Sequence, residues 1–235
     1  MIYSTQLQSA TLIKRYKRFL ADVELPDGRI ITIHSPNTGS MMGCAEPGMQ
    51  VWIRDTNNPK RKYQFAWELS ETANGVLVGI NTILANKLVK EAIKSGVIDE
   101  LQGFNTIRPE VKYGDQNSRI DLLLENETRR CYVEIKNVTA KRDEEVAMFP
   151  DAVTQRGTKH LQELMSMVEQ GHRAVILFNI SRGDVRSFSP ADEIDRVYGQ
   201  TLRQAITHGV EALAYVSNIS TKEIKLSHSV PVICS

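Results

Sequence analysis

The sequence has few cysteines, no long apolar run and no low-complexity tract, and each absence excludes a class of protein. Cys44, Cys131 and Cys234 lie far apart and form no CxxC pair, which argues against a zinc site and a disulfide framework. The longest apolar stretches, such as residues 174–178, are only five residues long, whereas a membrane-spanning helix needs about 18. With 14 glycines and 8 prolines in 235 residues, collagenous and disordered classes are also excluded.

Targeting signals and the motifs of small-molecule enzymes are missing as well. The first ten residues have neither a basic segment nor an apolar segment of the kind that a secretory signal needs. We therefore expect a cytoplasmic protein without a membrane partner. The chain has no nucleotide-binding glycine loop and no nucleophile elbow, which disfavours a small-molecule enzyme. Its 41% hydrophobic and 24% charged residues are typical of one or two globular domains.

Charge is nearly balanced overall, but basic residues cluster twice near the amino terminus. The net charge of +1, taken by itself, gives no argument for a polyanionic partner. Each cluster has aromatic residues beside it, and basic and aromatic side chains can contact the phosphates and bases of a nucleic acid. A solvated strand face is the alternative interpretation. The clusters consist of Lys14, Arg15, Lys17 and Arg18 with Tyr16 and Phe19, and of Lys60, Arg61 and Lys62 with Tyr63 and Phe65.

The first part of the chain, residues 1–81, reads as a small β-domain. Short alternating segments separated by turn residues predict strands at residues 7–13, 16–25, 30–34, 50–55, 63–71 and 76–80. Residues 26–29 form a turn pattern between the second and third strands, and residues 34–43 are too rich in breakers for a strand or a helix. Five or six short strands in this length predict a small closed barrel of the OB-fold type.

Residues 82–235 show the mixed pattern of an α/β domain. Apolar residues at helical spacing predict a first helix over residues 83–93, with Gly96 as its stop. Further helices are predicted at residues 154–170 and 190–208, the second starting with Pro190 in its first turn. Strands are predicted at residues 107–113, 120–125, 131–138, 174–180 and 210–216. The fold class is therefore a two-domain one, an OB-like barrel followed by a mixed-sheet α/β domain.

Three charged residues interrupt otherwise apolar strands of the second domain. Asp121 lies on one predicted strand, and Glu134 and Lys136 share a face of the next, since side chains alternate along a strand. Two carboxylates on adjacent strands can share a hard divalent cation, and a lysine nearby can orient a metal-bound water. These groups suit phosphodiester hydrolysis. The Glu-x-Lys pattern occurs three times in the chain, however, and an exposed hairpin with a structural Glu–Lys pair is the alternative.

A second polar cluster follows at the start of the second predicted helix. Thr154 can cap this helix, which leaves Arg156, Lys159 and His160 in its early turns, where a phosphate can be received. For His160 two interpretations remain: a neutral imidazole on the helix surface, or a group beside Asp121 that contacts phosphate.

Taken together, these segments resemble the sugar fermentation stimulation protein A family of bacteria and archaea over essentially the whole chain. The resemblance rests on residues 12–19, 34–39, 110–114, 118–121, 132–136 and 149–154, and on Arg156, Gly157 and residues 159–161. It implies an amino-terminal OB-fold domain, a domain like the PD-(D/E)xK nucleases, non-sequence-specific DNA binding, and a role in regulating the genes of sugar metabolism, notably of maltose metabolism.

The nuclease motif of the resemblance falls on Asp121, Glu134 and Lys136, with Ile120 where the motif has proline. We expect Asp121, Glu134 and the carbonyl of Ile135 to hold Mg²⁺ or Mn²⁺. Further candidates for the catalytic set are Glu91, the only acid on the first predicted helix, Glu110 and His160. The predicted DNA-binding residues are Lys14, Arg15, Tyr16, Lys17, Arg18, Asn37, Thr38, Lys60, Arg61, Lys62, Arg156 and Lys159.

Two functions remain open from the sequence. One is a DNA-binding regulator whose nuclease-like domain is a second binding surface, and the other is a magnesium-dependent nuclease. The preference for single or double strands, the regulated genes and the oligomeric state are left open.

Overall fold

The amino-terminal part of the protein is a closed β-barrel. A computed structural model describes residues 1–114, 118–142 and 145–234. Strands β1 to β6 form one sheet in the order β3-β2-β1-β4-β5-β6, and pairing of His34 with Ala66 joins β3 to β5 and closes the barrel. The predicted OB-like barrel is therefore confirmed. The strands are β1 (Gln8–Tyr16), β2 (Leu20–Glu24), β3 (Ile30–His34), β4 (Gln50–Asp55), β5 (Phe65–Glu71) and β6 (Leu77–Gly79).

The first hairpin turns later in the chain than the sequence predicts. Tyr16 ends β1 instead of starting β2, because the backbone enters the left-handed region at Lys17 (φ 50°) and Arg18 (φ 64°). The turn thus comprises residues 17–19, and these basic side chains project from a tight connection and not from a strand face.

The second part is a mixed six-stranded sheet with helices on both faces, which confirms the predicted α/β class. The sheet order is β14-β13-β11-β9-β8-β7, and β9, β11 and β13 run parallel, while β10 and β12 form a separate parallel pair. The helices are α1 (Ala85–Lys94), α2 (Gln155–Glu169) and α3 (Arg196–Thr207). The strands are β7 (Thr106–Tyr113), β8 (Ser118–Glu125), β9 (Arg130–Val138), β10 (Val146–Phe149), β11 (Arg173–Ile180), β12 (Ser187–Pro190), β13 (Glu211–Ile219) and β14 (Ile224–Ser229).

Strand β11 lies at the centre of the second part and is buried on both faces. Ile176 and Phe178 pack with residues of α2 and α3, whereas Val175 and Leu177 pack with residues of α1. A continuous apolar run is expected for a strand that helices cover on both sides. The result is a three-layer arrangement in which the sheet separates α1 from α2 and α3.

Of the predicted starts of α2 and α3, the first is confirmed and the second is wrong. Helix α2 begins as predicted after Thr154, whose Oγ1 accepts a hydrogen bond from the Gly157 amide (3.0 Å). Helix α3, predicted from residue 190, begins only at Arg196, because Pro190 is the last residue of β12 and Asp195 caps the helix. Proline fits the end of an edge strand as well as a first helical turn, so the local pattern did not separate the two.

The first residues of the chain lie against the second part, although they precede the barrel. The Met1 amino group donates to the Ile224 carbonyl (2.7 Å), and Tyr3 and Leu7 are buried beside α1. Within the described part of the chain, no helix is both long and apolar enough to cross a membrane.

Asp195 provides a test of how the helical layer is held together. Its Oδ1 accepts from the Tyr198 amide (3.0 Å) and its Oδ2 from the Thr154 amide (2.8 Å), so this buried carboxylate fixes the starts of both α3 and α2. We expect Asp195→Ala to lower the free energy of unfolding by about 2 kcal/mol, measured by urea denaturation. Asp195→Asn, which keeps one acceptor oxygen, should lose less. The control Thr207→Ala, at the exposed end of α3, should change it by less than about 0.5 kcal/mol. An Asp195→Ala protein as stable as this control contradicts the assignment.

Candidate functional site

A cleft of about 620 Å³ lies between the barrel and the second part, and Asp121 is in its wall. Helix α1 contributes Asn86, and the neighbouring strands β7, β8 and β9 contribute Glu110, Asp121 and Lys136. The barrel contributes residues 37–39 from the opposite side. The predicted placement of Asp121 on the strand next to that of Lys136 is thus what the structure shows.

Asp121 is held at the point where β8 and β9 stop pairing. The last paired residues are Leu122 and Val133, and beyond them the Ile135 amide donates to Asp121 Oδ2 (2.7 Å). Asn86 Nδ2 donates to the other oxygen, Oδ1 (3.0 Å). Burial and the negative charge of Glu134 raise the pKa of Asp121 to about 6, against the opposing effect of these hydrogen bonds and of the Lys136 charge.

Glu134 lies behind Lys136 and is 2% exposed. Its Oε1 accepts a hydrogen bond from Lys136 Nζ (2.8 Å), which places both side chains on one face of β9 as predicted. Burial alone raises the pKa of Glu134, but the Lys136 charge and the His160 contact outweigh it, so that the pKa lies below its usual value. Glu134 Oε2 is buried and has no hydrogen-bond partner among the described residues. The alternative of an exposed hairpin pair is therefore wrong.

His160 is buried on α2, so the interpretation as a surface imidazole is also wrong. Its Nδ1 contacts Glu134 Oε1 and lies 3.3 Å from Lys136 Nζ. On the other side of the ring, Nε2 accepts a hydrogen bond from Arg156 Nε (3.3 Å). Arg156 itself is exposed and lines the cleft. Lys159 is partly buried on the same helix.

The two further acidic candidates lie in different places. Glu110 lies on β7 between the residues that pair with Leu122 and Ile120 of β8, and Asn86 Nδ2 is 3.3 Å from its Oε1. Glu91, in contrast, pairs with the Met1 amino group (3.2 Å) and Lys87 (3.8 Å) and is not brought to the cleft. The residue of α1 that reaches Asp121 is Asn86, which the sequence analysis missed because its spacing carries no distinguishing signal.

Some of the predicted DNA-binding residues have internal partners. The Arg15 guanidinium donates to four backbone carbonyls, those of Arg18 (2.7 Å), Asn37 (3.0 Å), Gly39 (2.8 Å) and Ser40 (3.2 Å). Arg15 therefore holds the barrel loop through its guanidinium group. The buried Asn37 side chain accepts from the Gly39 amide.

Lys14 and Tyr16 both contact Asp22, the lysine at 3.6 Å and the tyrosine hydroxyl at 2.9 Å. The members of the predicted set that are exposed on the barrel besides Lys14 are Lys17, Arg18, Thr38, Lys60, Arg61 and Lys62.

Comparison with known proteins gives the family. Residues 13–80 match the family model of the SfsA N-terminal OB domain, and residues 83–223 match that of the sugar fermentation stimulation protein RE domain. The chain belongs to the sugar fermentation stimulation protein family. It is 60% identical over 214 residues to a homolog from Thioalkalivibrio sulfidiphilus, covering 91% of this chain and 90% of the relative. It is 56% identical over 229 residues to a homolog from Geobacter metallireducens, covering 97% and 98%.

A solved member of the family has the same fold. The structure of Pyrococcus furiosus SfsA in complex with Ca²⁺ superposes with a TM-score of 0.90 at 28% identity, over 99% of this chain and 98% of that one.

The donor atoms in the cleft fit a hard divalent cation with several water ligands. No group of three His, Cys, Asp or Glu side chains in the described ranges could hold a metal ion by itself. The oxygens of this donor set would be those of Asp121, Glu134 Oε2, which has no partner in the described part of the chain, and the backbone carbonyl of Ile135. Mg²⁺ characteristically combines one or two carboxylates with water and substrate oxygens. The elevated pKa of Asp121 beside Glu134 indicates two negative charges that a cation would neutralise.

The pKa of Asp121 gives a pH-dependent stability prediction. Because the folded pKa, about 6, lies above the ordinary 3.8, the folded state binds the proton more tightly than the unfolded state, and stability falls as pH rises between these values. Asp121→Asn removes this ionisation. We expect it to raise the free energy of unfolding by about 2 kcal/mol at pH 7.5, measured by urea denaturation with a chelator, and the gain to vanish near pH 4.

Asp184 is the matched control, because its pKa is shifted in the opposite direction. Although burial opposes it, hydrogen bonds from Arg182 and Lys141 lower the pKa of Asp184 to about 2. Asp184→Asn should therefore destabilise the protein at neutral pH, and this loss should shrink as pH falls from about 4 toward 2. If Asp121→Asn also destabilises the protein at neutral pH, as Asp184→Asn should, the pKa of Asp121 is not raised in the folded state.

Proposed function

We propose that this protein binds DNA and hydrolyses phosphodiester bonds in the cleft with the help of a divalent metal ion. The observation that supports this most is that Asp121 and Lys136 line one wall of the cleft, while the buried Glu134 binds Lys136 Nζ through Oε1 (2.8 Å) and its Oε2 has no partner among the described residues. Buried carboxylates are costly and repel phosphate, so a protein that only bound DNA would gain nothing from placing two of them here.

The metal would be held by Asp121, Glu134 and the carbonyl of Ile135, as Mg²⁺ or Mn²⁺. The Pyrococcus furiosus relative is in complex with Ca²⁺, which also takes oxygen ligands. When bound, such an ion stabilises the negative charge that develops on phosphoryl oxygens and lowers the pKa of bound water.

The side chains of the cleft would orient the reacting groups. Lys136 lines the cleft, and its ammonium group is fixed by Glu134 Oε1 (2.8 Å) and lies 3.3 Å from His160 Nδ1. Held in this position, it can donate a hydrogen bond to the attacking water or to a phosphate oxygen. The exposed Arg156, joined to His160, supplies a guanidinium group for a neighbouring phosphate.

The barrel would supply most of the affinity for DNA. Lys17 and Arg18 lie in the β1–β2 turn, and residues 60–62 lie in the β4–β5 connection. These are the two loops with which OB-folds bind oligonucleotides. Contacts of this kind are mostly to phosphates, so that binding depends strongly on salt and little on sequence.

A second candidate function is regulation of sugar-metabolism genes, notably those for maltose, through non-sequence-specific DNA binding without cleavage. Membership of the sugar fermentation stimulation protein family favours it. In this case the carboxylates of the cleft would have a structural role, and the two candidates differ in their response to the following substitutions.

Lys136→Ala and Asp121→Asn test the hydrolytic proposal. With Mg²⁺ or Mn²⁺, we expect the wild-type protein to cleave DNA, and each variant to lose about 100-fold or more, because positioned proton donors and charge-stabilising groups contribute to this degree. Cleavage of labelled oligonucleotides is the measurement. DNA binding through the barrel should survive in both variants.

Lys225→Ala is the matched control. Glu223 and Lys225 repeat the Glu-x-Lys pattern at the start of β14, where the pair is exposed (3.1 Å between Nζ and Oε1) and lies outside the cleft. This variant should cleave at the wild-type rate. Wild-type protein that fails to cleave any DNA with either metal contradicts the hydrolytic function and leaves the regulatory candidate.

Removal of the basic turn tests the role of the barrel. The double variant Lys17→Ala and Arg18→Ala should weaken binding to all sequences alike and reduce the dependence of log K on log salt by about 0.9 per lost phosphate contact. Fluorescence anisotropy at several salt concentrations measures both. The control removes two exposed lysines from other surfaces, Lys94 and Lys222, and should leave the slope unchanged. Binding that is independent of salt contradicts the proposal.

A further inference from the structure

We infer that the cleft takes a single DNA strand, so that the substrate of the proposed hydrolysis is an unpaired segment or strand end and not a closed duplex. This inference rests on the proposed function. It follows from a contact between the barrel and the second part, the Asp151 bridge, which consists of barrel residues 39–41 and Asp151.

The Asp151 bridge is a close and well-fixed contact. Asp151 Oδ2 accepts from the Met41 amide (3.0 Å). At Gly39 the approach is so close that a Cβ atom would lie 2.7 Å from the same oxygen, so the barrel backbone itself touches the carboxylate. On the barrel side, Arg15 holds the Gly39 carbonyl (2.8 Å).

The same barrel segment is also fixed near its start. Thr82 Oγ1, at the junction of the two parts, donates to the Pro36 carbonyl (3.0 Å). Residues 36–41 are thus attached to the second part at both ends, and residues 37–39 of this segment line the cleft that contains Asp121.

Two cavities, each of about 620 Å³, border the bridge. One contains Asp121 and Lys136, and the other is lined by Arg15, Arg18 and Val153 among others. The residues common to both linings are Thr38, Gly39, Phe149, Asp151 and Arg156. Cavities of this size match a ligand of drug-like dimensions, which is comparable with one or two nucleotides of a single strand.

The chemistry of the two cavities suits one strand. Arg18 and Arg156 are exposed basic residues of the barrel and of α2, and both line the second cavity. They can contact successive phosphates. Val153 is 73% exposed in the second cavity and Ile83 is 67% exposed in the first, and such apolar groups offer contacts to an unpaired base. A duplex would have to unpair first, at a cost of a few kcal/mol that an unpaired strand avoids.

The cleavage test uses one labelled strand in three forms: alone, in a blunt duplex, and in a duplex with a tail of about five unpaired nucleotides. With Mg²⁺ or Mn²⁺, we expect the single strand and the tail to be cut at least about tenfold faster than the blunt duplex. Cuts in the tailed form should fall in the tail. Equal rates on the blunt duplex overturn this inference but leave the hydrolytic function standing, whereas no cleavage of any form overturns the function.

A binding test decides the inference independently of turnover. With Ca²⁺ in place of Mg²⁺, anisotropy compares a single strand of about eight nucleotides with a duplex of the same length. Arg156→Ala should weaken binding of the single strand by about fivefold and that of the duplex by less than about twofold. Lys94→Ala, on α1, should change neither. Equal effects of Arg156→Ala on the two forms, or none on either, overturn the inference.

Variants of the bridge add a third readout. Asp151→Ala removes the acceptor for the Met41 amide and should lower the ratio of single-strand to duplex cleavage, because the barrel segment is released. Asp151→Asn keeps an acceptor and should retain more of the ratio. Thermal unfolding establishes that each variant is folded, and an unchanged ratio in a folded Asp151→Ala protein contradicts the role of the bridge.

Discussion

The hydrogen bond from the Ile135 amide to Asp121 Oδ2 is the interaction on which the geometry of the cleft depends. Strands β8 and β9 pair from Glu125 and Arg130 to Leu122 and Val133, and beyond this point the Asp121 carboxylate accepts the Ile135 amide hydrogen. Backbone pairing of the two strands therefore ends here, but this side-chain hydrogen bond still links them. Because β9 also pairs with β11 on its other side, the residues beside Ile135 are held by the sheet, and side chains on strands are positioned more precisely than those on loops.

The electrostatics of the cleft follow from this arrangement. Burial and the neighbouring carboxylate raise the pKa of Asp121, whereas Lys136 and His160 outweigh the effect of burial on Glu134 and lower its pKa. Two adjacent carboxylates with different proton affinities are a common feature of functional sites, where groups are placed in environments that shift their pKa values even at a cost in folding stability. Glu134 Oε2, for which the described part of the chain supplies no donor, belongs to the same pattern, since a buried acceptor without a donor costs about 1–3 kcal/mol.

The sequence predicted the features that depend on local periodicity and missed those that depend on long-range contacts. Glu134 and Lys136 were assigned to one face, and Thr154 to a helix start, because strand alternation and capping are local rules. The role of Arg15 was not predictable, because three of its four carbonyl partners, those other than Arg18, lie 22 to 25 residues away along the chain. Asn86 was missed for the same reason, as it is 35 residues from Asp121.

Arg15 connects the basic turn of the barrel to the barrel segment that borders the cleft. Its guanidinium binds the carbonyl of Arg18 in the basic turn and the carbonyl of Gly39 in the segment that touches Asp151. A DNA strand held by the turn would thus be held at a fixed position relative to the bridge and, through it, to the second part. A fixed relation between a binding surface and a reacting group lowers the entropic cost of reaching the reactive arrangement. In the proposed function, the barrel would therefore position the DNA strand relative to the cleft as well as contribute affinity for it.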